Sequence, residues 1–190
     1  MARMITAAIA ALGGSFAAIA AVTAQRSLYS TIDLKTCAQI AKRPDGGAWR
    51  CDGLAGYPVY VAESDLHQFV SFGSNAGSRR AAKQTLRASN SIFATVHGRA
   101  TIEWRFDRKG DIAIPYATIV RYYTSSNSHK GEVLVVSRVT DKEACHVAYI
   151  DALASAEAIS LARRVADEKA RRFNCALEPR VEGATGKSPI

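Results

Sequence analysis

The sequence predicts an α+β domain: antiparallel strands, as hairpins plus a four-stranded meander, with two helices packed on the sheet and two disulfides. Three observations predict it. Short segments alternate apolar and polar residues with period two, as in Ile102-Glu103-Trp104-Arg105-Phe106, where Ile102, Trp104 and Phe106 share one face. Each run of such segments is followed by one with helical spacing, the order that sets helices to one side of an antiparallel sheet. Four cysteines, Cys37, Cys51, Cys145 and Cys175, follow an export leader, and an even count in an oxidising compartment favours disulfides.

The leader is residues 1–24. Arg3 supplies a positive start, the run from Ile5 to Val22 carries no charge, and Val22-Thr23-Ala24 offers small residues for cleavage before Gln25. An apolar run of about 18 residues is near the minimum for a membrane span, but Ala and Gly dominate and no Lys or Arg cluster follows, so a cleaved signal peptide is expected. Residues 25–176 then form one domain, periplasmic or secreted, with no transmembrane segment. Residues 177–190, rich in Gly, Pro and charge, are expected to be a disordered tail.

Strands at 35–40 and 48–51 make the first hairpin, with Gly46-Gly47 in its turn. Strands at 57–61 and 67–72 follow, joined by Glu63-Ser64-Asp65. The Gly- and Ser-rich residues 73–78 then lead into a helix capped by Ser78 and running to Ala88. The meander comprises 102–106, 116–124, 132–140 and 144–150. It closes with a helix over 155–172, in which Ile159, Ala162, Val165, Ala166 and Phe173 make the core stripe. Asp167 with Arg171 and Glu168 with Arg172, four apart and acid first, are expected on its solvated side.

Four cysteines allow three pairings, and geometry favours one. A helix of about 18 residues runs back about 27 Å, at about 1.5 Å per residue, and so returns Cys175 to Cys145. Cys37 with Cys51 then staples the first hairpin. Metal binding has the wrong spacing, since no Cys-x-x-Cys occurs and His146 is the neighbouring candidate ligand. The glycines form no dinucleotide fingerprint or phosphate loop, and there is no nucleophile elbow, so no cofactor is expected.

Without the leader, 24 basic residues face 17 acidic ones, a net charge of +7. No acid occurs between Asp65 and Glu103, whereas Arg79, Arg80, Lys83, Arg87 and Arg99 all fall there. On a helix, Arg80, Lys83 and Arg87 share one face with Arg79 beside Lys83, a stripe suited to phosphate or carboxylate. The amides of residues 75–79, at the helix start, would add to it. The opposite side is marked by Ala82 and Leu86. A second candidate is the polar face of the meander, with Glu103, Arg105, Arg121 and Arg138, where cross-strand pairing is the simpler account. The histidines, His67, His97, His129 and His146, each have a structural home in strands or polar connections. The aromatics Tyr57, Tyr60, Trp104, Tyr116, Tyr122 and Tyr123 read as core.

The pattern from Thr36-Cys37 through Gly46-Gly47-Ala48-Trp49-Arg50-Cys51 and Gly56-Tyr57-Pro58-Val59 continues in Ala144-Cys145-His146-Val147-Ala148-Tyr149-Ile150-Asp151-Ala152 and Ala166-Asp167-Glu168. It resembles a group of exported alphaproteobacterial proteins. The resemblance spans most of the chain after the leader; it implies a periplasmic address and brings no activity or catalytic residue with it.

These readings combine into an expectation. The protein is a disulfide-stapled binding or envelope-associated module that recognises an anionic partner, namely lipopolysaccharide, peptidoglycan, lipid headgroups or an acidic protein, with no nucleic acid expected. The alternative is an envelope-acting hydrolase, which needs a histidine within hydrogen-bond reach, or one water, of a carboxylate or hydroxyl in a cleft.

Overall fold

A computed structural model describes residues 26–95 and 97–190, so the expected leader lies outside the described residues. The elements are β1 (Ser27–Ile32), β2 (Ala38–Arg43), β3 (Gly46–Leu54), β4 (Tyr57–Ser64), β5 (His67–Phe72), β6 (Ser89–Ser91), β7 (Ala100–Lys109), β8 (Ile112–Ser126), β9 (His129–Val139), β10 (Ala144–Asp151), α1 (Ala158–Lys169) and β11 (Arg180–Val181). A 3-10 turn, Ala170–Arg172, prolongs α1.

Strands β2 to β5 form a four-stranded meander in chain order. The second sheet runs β1-β7-β8-β9-β10-β11, with β6 pairing the far end of β8. Its centre, β7 to β10, is the meander that period two predicts. Alternation splits its side chains between two layers. Val120, Tyr122, Val133 and Val135 face the small sheet, where Val59, Val61, Val70 and Phe72 meet them. Ala117, Ile119, Leu134 and Val136 face α1, whose Ala162, Val165 and Ala166 lie against them. The order is therefore small sheet, large sheet, helix. Trp104, fully buried, meets Phe72 edge-on with ring centroids 5.4 Å apart.

Both disulfides pair as the geometry indicated. Cys37–Cys51 ties the approach to β2 onto β3, and Cys145–Cys175 ties β10 to the chain leaving α1. Among the described residues no helix is long and apolar enough to cross a membrane.

Two expectations need correction. The helix expected over 78–88 is absent, so the helical layer is one helix, not two. In its place are 3-10 turns, Ala76–Ser78 and Arg80–Lys83, followed by extended chain from Gln84. The cause is which residues the core draws in: Ala81 and Leu86 are buried, a spacing of five that no single helix face provides, while Ala82 is only half-buried. Gln84 then ties this strap down, its Oε1 accepting the His146 backbone N–H at 2.8 Å.

Residues 177–190 are a docked segment rather than a loose tail. β11 pairs in parallel with β10, and the chain continues to Asp151. The backbone N–H groups of Lys187 and Ser188 donate to Asp151 Oδ2 at 2.8 and 2.9 Å, and Ser188 Oγ lies 2.6 Å from Oδ1. Leu153 and Ala154 donate their N–H groups to the same carboxylate. Burial pushes this carboxyl up, but the bonds from Ser188, Lys187 and Ala154 outweigh it and hold it below its ordinary range. Gly131 makes room: a Cβ there would stand 2.5 Å from that of Ser188.

Candidate functional site

The cations singled out in the sequence are dispersed. Arg79 donates through Nη2 to the carbonyls of Ser74 and Asp141, at 3.1 and 2.9 Å, and so pins the strap to the β9–β10 turn. Arg80 pairs with Glu178 at 2.5 Å, and Arg99 pairs with Asp33, between β1 and β2, at 3.3 Å. Lys83 and Arg87 are exposed and form no ion pair among the described residues. Three of the five amides expected to cradle an anion are occupied: those of Ala76, Ser78 and Arg79 bond the carbonyls of Gly73, Asn75 and Ala76.

The meander candidates form a structural network. Glu103 and Arg105 stand on the α1 side of β7, 4% and 7% exposed. Arg105 forks onto Asp167, Nε to Oδ1 at 3.0 Å and Nη2 to Oδ2 at 2.8 Å, while Tyr116 Oη donates to Oδ1 at 2.6 Å. Arg163 makes a similar fork on Glu103, at 2.8 and 3.1 Å, and Ser27 Oγ donates to Glu103 Oε1 at 2.5 Å. Burial raises the Asp167 carboxyl, but the Arg105 and Tyr116 hydrogen bonds bring it below the ordinary range; burial and the neighbouring Asp167 raise Tyr116. Of the helix pairs expected at its surface, Asp167 with Arg171 is redirected: Asp167 turns inward to β7, and Arg171 pairs with Asp107 and stacks 3.5 Å over the Tyr116 ring, while Glu168 and Arg172 are exposed and form no ion pair among the described residues. Arg121 pairs with Glu132 across the β8–β9 ladder. Arg138 reaches the carbonyls of Ala170, Arg171 and Phe173, where it caps the helix end with positive charge.

Three histidines have polar contacts of their own. His67 bonds the carbonyl of Asp65, and His129 that of Lys187. His146 Nδ1 lies 3.0 Å from Tyr149 Oη; burial lowers His146 to about 3 and pushes Tyr149 up to about 12. No histidine hydrogen-bonds a carboxylate among the described residues. Among them, no group of three or more His, Cys, Asp and Glu side chains could hold a metal ion.

One concavity was not readable in advance. A cleft of about 690 Å³ opens where the β4–β5 turn, β6, the end of β8 and the start of β9 converge. Leu66, Phe93, Tyr123 and Leu153 supply its apolar lining; Glu63, Thr124 and Lys130 are among its polar members. A clasp fixes one side: Asn90 Oδ1 accepts from Gln68 N, and Gln68 Oε1 accepts from Ile92 N. Leu66 is 74% exposed with φ of +61°, a left-handed conformation that a side chain occupies at a cost of about 1–2 kcal/mol. The turn expected at Glu63-Ser64-Asp65, which lies at Asp65-Leu66, is the trace of this rim in the sequence.

No family model matches this chain, and no curated protein or solved structure matches it. What it does must therefore be argued from these side chains.

Proposed function

We propose that the protein is an exported binding module, periplasmic or secreted, that recognises an anionic envelope component through its cationic strap. The observation that carries this reading is that Lys83 and Arg87 remain exposed and without an acidic partner, on backbone that Arg79, Gln84 and the buried Ala81 and Leu86 hold in place. Cations on fixed backbone lose less freedom on meeting phosphate or carboxylate than cations on a loose loop. Two disulfides and the leader-like residues 1–24 support the address. Arg79, Arg80 and Arg99 belong to the fold's own ties and add long-range attraction only. The hydrolase alternative has, among the described residues, a single histidine–hydroxyl contact in its favour, His146 with Tyr149, and that histidine is sealed from substrate.

Co-sedimentation with isolated peptidoglycan and with anionic vesicles tests this. Binding at about 0.15 M salt, where free charges are screened within about 8 Å, should fall at least fivefold in Lys83→Glu/Arg87→Glu and stay unchanged in Arg99→Glu. Equal binding by both variants and the parent would remove the strap from the site.

A further inference from the structure

The cleft beside the strap has a different chemistry, and we infer that it binds a zwitterion with an apolar body: an apolar amino acid or short peptide with free ammonium and carboxylate groups. Its volume, about 690 Å³, falls in the range of small-ligand sites, about 300–1,000 Å³, and exceeds what one amino acid fills.

Charge argues for both ends of the ligand. Glu63 lies on β4, in the small sheet, and is half-buried. Its Oε2 accepts from Gln68 Nε2 at 3.0 Å, Oε1 has no hydrogen bond, and no cation pairs with it among the described residues. Lys130 lies on β9, in the large sheet, and pairs with no acid among the described residues. The other charged lining residue, Glu132, is already neutralised by Arg121. One unpaired anion and one unpaired cation therefore stand on opposite sheets, with apolar Phe93 and Leu153 in the same lining. A simple anion would meet Glu63, a simple cation would meet Lys130, and a wholly apolar ligand would leave both unanswered.

One further observation marks the cleft as a site rather than a gap. Leu66 keeps an apolar side chain at the rim despite its left-handed backbone, where glycine would fit without cost.

The test is calorimetric titration of the oxidised protein with the dipeptide Phe-Leu, its N-acetyl form and its C-terminal amide, and with free leucine to separate amino-acid from peptide sources. Phe-Leu should bind. Glu63→Gln should weaken it about tenfold while leaving the N-acetyl form unaffected, and Lys130→Gln should do the same with respect to the amide. The strap variant Lys83→Glu/Arg87→Glu should leave Phe-Leu affinity unchanged, so the two sites fail or stand separately. Absence of binding by Phe-Leu and by leucine at millimolar concentration overturns the inference. So does equal affinity of the blocked and free dipeptides.

Discussion

The two faces of the seven-stranded sheet are held by different physics. Toward the small sheet, Trp104, Tyr122 and a field of valines close against Val59, Val61, Val70 and Phe72, and stability comes from apolar area removed from water. Toward α1, the helix offers mainly alanines, Ala158, Ala162, Ala166 and Ala170, and so brings little apolar area. There the space under the helix margin is filled by Glu103, Arg105, Asp167 and Tyr116, whose stability rests on every partner being present. A dry face tolerates a change in proportion to the volume lost. A face of paired charges fails when one member is missing.

The contrast can be broken on the dry side first. Trp104→Ala removes the largest fully buried side chain and the bond from its Nε1 to Ser30 Oγ, and should cost about 3–5 kcal/mol in urea unfolding. On the charged side, Arg105→Met should cost about 3 kcal/mol, because it strands Asp167 and deprives Glu103 of a neighbour. Pairing it with Asp167→Leu sharpens the comparison: the double variant should lose at least 1 kcal/mol less than the two single losses together. Additive losses would show that the charges act independently.

A third comparison is made in acid. His146, lowered to about 3, stays neutral when folded but binds a proton when unfolded below its ordinary pKa of 6.5. Unfolded chains then hold more protons, so stability should fall as pH drops from 6.5 toward 3, by about 1 kcal/mol per pH unit. Asp151 and Asp167, both held low, contribute stability above the ordinary carboxyl range near pH 4, and it is lost as pH falls through their folded values. His146→Phe should flatten the limb between pH 6.5 and 4, where the carboxylates contribute little, and leave their part of the limb below it. An unchanged limb above pH 4 would shift the cause to other groups.

How much was legible follows from where each signal resides. Ile102, Trp104 and Phe106 announce their strand because burial and pleat share period two, and the Cys145–Cys175 pairing follows from a strand, a short loop and a helix running back over them, although the helix starts at Ala158 rather than 155 and is 12 residues with a 3-residue 3-10 turn rather than about 18. The strap misleads because Arg80, Lys83 and Arg87 carry a helical rhythm, whereas burial chooses Ala81 and Leu86. The segment 177–190 misleads because its composition says nothing of the donors that Asp151 requires 36 residues earlier. β1, β6 and β11, short or polar, take their structure from the strands they join. Glu63 and Lys130 enter one cleft through sheet register, which no local pattern encodes.

The Asp151 carboxylate also bears on how the chain is made. It leaves the ribosome well before Lys187 and Ser188, so β10 is at first an open sheet edge whose negative charge is met by the neighbouring Leu153 and Ala154 amides alone. An inward charge on an exposed edge discourages pairing with a strand of another chain. By that rule the Asp151 charge disfavours pairing of this edge with another chain until the last residues are in place. The guard is withdrawn by the chain's own later residues, which convert the charge from a deterrent into a fastening.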